Sequence, residues 1–480
     1  MLTPIHFAAL TWAFVLISRR LWNLARQPKP AQSGQPVYSD DKPVSDPYLC
    51  HQLIQGKLTQ GSKRNRVSFL SSKAMPNKGL QTVFGIKNAF TSDDAPLVKE
   101  FIDDARRRIK LKPEEWSGLT PMLVDVARNC IIVGYNTDGM ENRLRGSALS
   151  YQPGIPSSTR FNITSLVQVV TLRAILATVL KVEAKDCPSN LDILNLARQI
   201  NEGWIQSKNG NRPGRDDSVM LNFEQNKAIQ ASLQAVFPNQ AEHGLNPLNI
   251  LLPSFETMWR VVLRALLELK FQTGCENPEW AKAMVSFCWN VTKEEFERRP
   301  SLRMTTSTKV VIGGDSRPSQ EKTPSAKDIV LESLRMYPPT RRIYRAYVWD
   351  DYPASCEPEP IYKAADIEAC HLRTNIWGSN AVNFDPARWM TITRADRAQT
   401  HAFMPFGYGV CECPAKAVFG PRMIGVLVGA LLSALDDEEG QWTLCCADNH
   451  VMSCLATKGR LSLERDAFNK LEVMRSESGE

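Results

Sequence analysis

One stretch near the C-terminus constrains the fold more than any other part of the chain. It runs from Phe403 to Lys416 and presents a thiol, Cys413, after a turn that contains Gly407 and Gly409. An apolar run from Ala417 to Leu435 follows and reads as a helix. A cysteine just ahead of a helix N-terminus favours the thiolate, because the helix dipole and the free N–H groups stabilise negative charge there. Such a thiolate can ligate haem iron and donate electron density to it.

A second cysteine in this stretch leaves another interpretation open. Cys411 and Cys413 are two residues apart and could form half of a metal site. A zinc site of that kind would need further Cys or His pairs at C-x₂₋₄-C spacing, and the adjacent Cys445 and Cys446 are too close together to supply one. Haem ligation and a pair of structural thiols are therefore the two hypotheses for this loop.

The loop resembles the haem-binding loop of the cytochrome P450 family. The family pattern is Phe, then Gly three residues on, then the ligand Cys four further, then a small residue two beyond. Phe406, Gly409, Cys413 and Ala415 match this spacing. Two positions differ: the last residue is usually Gly, and Cys411 stands where a basic residue often contacts a haem propionate. The resemblance implies that Cys413 is the axial ligand.

A charged pair upstream is the second specific signature. Glu332 and Arg335 are three apart in a helical pattern, so they share a face and can pair. Alone, such a pair is usually an exposed salt bridge of little energetic value. Both residues match the family's Glu-x-x-Arg, however, and Arg388 matches the third member of its charged triad. The resemblance implies a buried triad that holds the loop behind the haem and performs no chemistry itself.

A long apolar helix is predicted from Leu248 to Lys270, with a kink near Asn249 because Pro253 removes a ladder bond. Glu256 and Thr257 match the acid–alcohol pair of the family's central helix. That pair would hold dioxygen and relay protons. The usual Ala-Gly before it is Pro253-Ser254 here, and taken alone the Glu-Thr dipeptide is a very weak motif.

Two arginines are candidate partners of the haem propionates. Arg345 lies ten residues after Arg335, where the family often has such an arginine. Arg145 lies where a family helix places another, but Glu141 replaces the Trp expected four residues earlier. A solvated charged helix face is the alternative interpretation for Arg145.

The N-terminus predicts a membrane anchor. Residues from Leu2 to Ser18 are mostly apolar, and Arg19 and Arg20 follow. A spanning helix needs about 20 apolar residues, so the predicted span covers residues 1–22, if the arginines snorkel. The charge on its C-terminal side predicts a cytosolic catalytic domain, 46–480, behind a Pro-rich linker, 23–45. An interfacial or a buried helix is the alternative. We therefore expect a single-pass protein of the endoplasmic reticulum membrane that contacts lipid.

Composition narrows the classes further. The chain has 480 residues, 43% of them hydrophobic and 23% charged, so it can bury a large core. Its net charge of +7 is a mild basic bias that suits an acidic partner or an anionic membrane. The sequence has no long run of basic residues, so it gives no indication of nucleic-acid binding. The 12 cysteines show no framework spacing, which favours a reducing compartment.

Together these features predict a mainly α fold with a smaller β part. The resemblance implies haem-thiolate monooxygenation of a small hydrophobic substrate, with NADPH-derived electrons from a cytochrome P450 reductase that docks near the Cys413 loop. The chain is similar to fungal members of the family that act on specialised (secondary) metabolites.

Two rival functions remain at this stage. One is a haem-thiolate isomerase or dehydratase on the same fold, suggested by the replaced Ala-Gly. The other is a membrane-anchored relative without catalysis, suggested by the missing propionate partners at Cys411 and Glu141.

Overall fold

The structure is a computed structural model. It describes residues 42–59, 62–134, 159–209, 221–238, 246–300, 322–350, 359–393, 395–436 and 440–477. The predicted anchor (1–22), nearly all of the linker and Arg145 lie outside the described residues. No helix within the described ranges is long and apolar enough to cross a membrane.

Helices dominate the described chain, as the sequence predicts. The α-helices span Pro47–Ile54, Phe69–Ala74, Lys78–Phe84, Ala95–Arg108, Pro113–Val133, Ile163–Thr178, Asn190–Asn209, Lys227–Val236, Leu248–Leu251, Met258–Phe271, Pro278–Trp289, Lys293–Glu297, Ala326–Met336, Ile367–His371, Thr374–Trp377, Arg397–Ala402, Phe419–Ala434 and Asn449–Ala456.

The β part consists of two small sheets. The first has three antiparallel strands in the order β1 (Arg160–Asn162), β5 (Glu472–Glu477) and β4 (Gly440–Cys445). The second pairs β2 (Arg342–Tyr347) with β3 (Ile361–Asp366), also antiparallel. Because β1 precedes a core helix and β5 lies near the C-terminus, the first sheet joins distant parts of the chain. The mainly α fold with a smaller β part is confirmed.

One large core lies among the long helices. Ile163–Thr178, Met258–Phe271, Pro278–Trp289 and Phe419–Ala434 contribute most of their apolar side chains to it. The helix after the thiol loop approaches its neighbour closely at Gly429, where an added Cβ would lie 2.4 Å from the Met284 carbonyl oxygen. Glycine is required there because any side chain would collide with backbone.

Helix boundaries differ modestly from the sequence expectations. The helix Pro113–Val133 begins where it does because Pro113 suits a first turn and the Glu115 carboxylate accepts from the Lys112 N–H at 2.7 Å. The helix expected from Ala417 begins at Phe419. The prediction of a kink near Asn249 is corrected: the distortion is a π-helical turn at Leu252–Glu256, around Pro253 itself.

Candidate functional site: the thiol loop and its supports

The predicted charged triad is present and buried. The Glu332 and Arg335 side chains are fully buried, and the Arg388 side chain is 8% exposed. Arg335 binds Glu332 through two parallel bonds, Nε to Oε2 at 2.8 Å and Nη2 to Oε1 at 2.7 Å. Arg388 Nε donates to Glu332 Oε1 at 3.1 Å. This fork-to-fork geometry is the strongest form of an arginine–carboxylate pair.

Further donors complete the coordination of Glu332. Trp389 Nε1 donates to Oε2 at 2.9 Å and the Asp385 N–H donates to Oε1 at 2.9 Å. Arg335 Nη1 donates to the carbonyls of His371 at 2.8 Å and Ala381 at 2.6 Å. A buried charge is tolerable only when it is paired and bonded in this way. The triad therefore fixes the segment from His371 to Trp389 against the helix Ala326–Met336.

His371 connects the triad to the thiol loop, and sequence reasoning missed it. The ring is fully buried, Nδ1 lies 3.0 Å from the Arg335 carbonyl oxygen, and the Met404 N–H lies 3.0 Å from Nε2. An N–H can only donate and a carbonyl can only accept, so Nδ1 carries the proton and Nε2 accepts. Burial lowers the pKa of His371 to about 3, although the bond to Arg335 opposes the shift. The neutral ring therefore links the triad to the start of the loop through two hydrogen bonds.

The thiol loop folds back on itself before Cys413. Gly407 and Gly409 have φ of +74° and +68°, a conformation that favours glycine. The Cys413 N–H donates to the Phe406 carbonyl at 2.9 Å and closes the turn. The Phe406 ring lies against Gly420, where an added Cβ would meet it at 2.9 Å. Phe406 and Gly409 therefore both lie in the turn before Cys413, and their haem-binding roles stay predictions.

The electrostatics of Cys413 differ from the sequence expectation. A 3₁₀ turn, Pro414–Lys416, separates the cysteine from the helix that begins at Phe419, so the helix dipole is distant. The surrounding protein desolvates the thiol and raises its pKa, while the Ala415 N–H opposes that rise. The side chain is nevertheless solvent-exposed. The sulfur is therefore accessible from outside the protein, and a bound cation would stabilise its thiolate form.

The predicted acid–alcohol pair lies directly at the π-helical turn. The Ser254 hydroxyl donates to the Ile250 carbonyl at 2.8 Å, and the Thr257 hydroxyl donates to the Pro253 carbonyl at 3.0 Å. These side chains bond carbonyls around the proline, which has no N–H to donate. Single π turns inside α-helices are frequent at functional sites.

Glu256 is fully buried and forms an ion pair with Arg465, a residue that sequence reasoning did not single out. Trp259 Nε1 donates to the other carboxylate oxygen at 3.2 Å. The Arg465 guanidinium stacks on the Trp204 ring, 4.5 Å from its centroid. Burial lowers the pKa of Arg465 to about 9. The C-terminal segment thus brings a cation to the predicted proton-relay acid.

Arg345 is 4% exposed and is bonded to the protein backbone. Its Nε and Nη2 donate to the Ile54 carbonyl at 3.1 and 2.8 Å, and Nη1 donates to the Tyr344 carbonyl at 2.8 Å. Its propionate-binding role, and that of Arg145 outside the described residues, stay predictions.

These residues fit a haem that Cys413 would hold through its thiolate. The donor is a single soft, exposed sulfur on a turn shaped by two glycines. The described residues contain no cluster of three or more His, Cys, Asp or Glu that could hold a metal ion. The zinc half-site hypothesis for Cys411 and Cys413 therefore has no further ligands in the described ranges. Within those ranges, Arg345 is the one residue predicted to bind a haem propionate.

Comparison with known proteins agrees with this assignment. Residues 303–436 match the family model described as Cytochrome P450. Cytochrome P450 734A2 of Oryza sativa subsp. japonica is 37% identical over 110 residues, and cytochrome P450 27C1 of Aquarana catesbeiana is 29% identical over 113 residues. Each alignment covers 22% of this chain, and they cover 19% and 20% of these relatives.

A solved structure of a cytochrome P450DA mutant haem domain aligns over 90% of this chain and 86% of its own, with 15% identity and a TM-score of 0.46. The matched sequence region contains the triad, Arg345 and the thiol loop. Glu256 and Thr257 lie outside it.

Proposed function

We propose that the chain is a haem-thiolate monooxygenase of the cytochrome P450 family, whose model residues 303–436 match. The observation that carries the proposal is the exposed Cys413 thiol at the end of a turn whose start is bonded to a buried, fully coordinated charged triad. A bare thiol without such supports would be an ordinary surface cysteine.

The residues of this chain have defined tasks in that reaction. When bound, haem with a thiolate ligand supplies the activation of dioxygen, because the sulfur donates electron density that favours O–O cleavage. The Cys413 sulfur would be the protein ligand of the haem iron. The Thr257 hydroxyl already donates to the Pro253 carbonyl, so toward a bound molecule its oxygen can act only as an acceptor. Glu256 is ion-paired with Arg465, so it must take up a proton before it can deliver one.

The first experiment is the absorption spectrum of the full chain, reduced with dithionite and exposed to carbon monoxide. We expect a red-shifted thiolate Soret band that disappears in Cys413→Ser. Cys454→Ser, which removes another exposed thiol, is the matched control and should keep the band. A folded protein without any haem band would refute the monooxygenase proposal and favour the relative without catalysis.

The electron source and location belong to the same proposal. Electrons would come from NADPH through a cytochrome P450 reductase docked near the loop, where Val410, Val418 and Lys416 are exposed. The anchored catalytic domain would face the cytosol at the endoplasmic reticulum, and the substrate would be a small hydrophobic secondary metabolite. Protease protection of tagged full-length protein in microsomes tests the orientation: digestion of the C-terminal tag in intact vesicles is the expected result.

One observation favours a second candidate function, a haem-thiolate isomerase or dehydratase. The buried Glu256 carboxylate is engaged by Arg465 and Trp259, so it can relay protons only if these contacts open. Turnover in the absence of NADPH and dioxygen would support this candidate, whereas strict dependence on both would exclude it.

A further inference from the structure

The helix Pro47–Ile54, which we call the N-terminal helix, packs against the thiol loop. Its apolar face, Cys50, Leu53 and Ile54, is buried in a small cluster that also contains Met404 from the start of the loop. The helix is capped by Asp46, whose carboxylate accepts from the Leu49 N–H at 3.0 Å. A defined helix far from the loop in sequence is therefore fixed beside it.

His51 contacts the loop directly. Its ring stacks on the Tyr408 ring, with 3.6 Å between centroids and 9° between planes. Its Nε2 lies 2.9 Å from the His401 carbonyl oxygen, which can only accept, so Nε2 donates. His51 is 5% exposed. It thus contacts both ends of the segment from His401 to Tyr408.

The end of the same helix reaches the next residue of the turn. Gly409 faces the Gln55 side chain so closely that an added Cβ would lie 3.0 Å from Gln55 Cγ. The Ile54 carbonyl accepts two bonds from Arg345, the predicted propionate partner. One helix end therefore touches the thiol loop and also bonds Arg345, the predicted propionate partner.

We propose that the N-terminal helix is a second support of the thiol loop, and that His51 is the positioning residue for the turn Gly407–Gly409. The triad and His371 fix the loop at Met404, five positions before the turn ends. Nothing in that arrangement fixes Tyr408. His51 supplies this second attachment through stacking and one hydrogen bond. The role of this turn in presenting Cys413 to haem rests on the proposed function, but the effect of His51 on the turn can be tested without haem.

The test is hydrogen exchange of the full-length protein without haem, followed in the peptide that covers residues 404–416. Its reporters are the Cys413 N–H, bonded to the Phe406 carbonyl at 2.9 Å, and the Glu412 N–H, bonded to the Gly409 carbonyl at 3.0 Å. In His51→Ala we expect exchange in this peptide to be about fivefold faster, the effect of losing one ring stack and one hydrogen bond. Exchange in the triad segment, residues 379–390, should stay unchanged.

Leu49→Ala is the matched control, because Leu49 lies on the exposed face of the same helix. His51→Phe keeps the stack and removes the hydrogen bond, so an intermediate rate is expected, and it replaces His51→Ala if that variant does not fold. In haem-loaded protein, His51→Ala should convert part of the thiolate carbon monoxide band to the band of a neutral ligand, and Leu49→Ala should not.

Unchanged exchange in the loop would overturn the proposal. Equal acceleration in the loop and the triad segment would also overturn it, because His51 would then contribute only to overall stability. A protein that binds no haem but shows the expected exchange pattern would refute the proposed function and leave this inference standing.

Discussion

Lowering the pH should weaken the fold through one buried histidine. His371 accepts from Met404 through Nε2, so protonation would place two donors against each other. Its pKa is lowered by burial from 6.5 to about 3, so its contribution is fully present above pH 6.5 and is lost progressively as the pH falls from 6.5 toward 3. Between pH 7 and pH 5 the histidine binds a proton in the unfolded state but not in the folded state, and this stabilises the unfolded state by the equivalent of about 1.4 pK units. The free energy of unfolding should therefore fall by about 2 kcal/mol from this group.

The assay is urea unfolding of the full chain in detergent, followed by tryptophan fluorescence at pH 7 and pH 5. His371→Gln keeps one acceptor and one donor but cannot titrate, so its loss of stability over this interval should be about 2 kcal/mol smaller than that of the natural chain. Other titrating groups cancel in the difference. His450→Gln, which removes an exposed histidine, is the control. Equal losses of stability in the natural chain and His371→Gln would refute the conclusion that His371 is neutral in the folded protein.

Three further substitutions test other parts of the structure. Glu332→Gln leaves the Arg335 charge uncompensated and should cost about 3–5 kcal/mol in urea unfolding, a claim that a loss under 1 kcal/mol would contradict. Burial raises the pKa of Glu268 from 4.5 to about 7, so its stabilising contribution is present below pH 4.5 and is lost as the pH rises through 7. Between pH 5 and pH 8 the stability of Glu268→Gln should therefore rise by about 2.5 kcal/mol relative to the natural chain, and a difference that does not depend on pH would argue against this assignment. Gly429→Ala should destabilise by about 1–3 kcal/mol because its Cβ meets the Met284 carbonyl, and calorimetry that shows no change would exclude that contact.

The parts of the site that the sequence predicted are those with short, rigid spacing. Glu332 and Arg335 pair across one helical turn, and the glycines of the thiol loop occupy conformations that few other residues adopt. The proline before Glu256 predicted a distortion, but not its type, because a π turn depends on which side chains bond the unsatisfied carbonyls.

The missed residues act across large separations in the chain. His371 bonds Met404, 33 residues away, and Arg465 pairs with Glu256 from the opposite end of the domain. No local pattern distinguishes such a histidine or arginine from its neighbours. The pKa of Cys413 was expected to be lowered and is raised, because desolvation depends on the surrounding mass of protein and not on the sequence beside it.

The contact between His51 and the thiol loop has a consequence for the order of events on the ribosome. The two residues that it joins, His51 and His401, are 350 positions apart. At about 5–20 residues per second, the N-terminal helix emerges roughly 20–70 s before its partner is made. Throughout that time Cys50, Leu53 and Ile54 lack the loop residue Met404 against which they pack. This apolar face therefore cannot be fully covered until the last sixth of the chain is being synthesised, which makes the helix a natural place for a chaperone to bind.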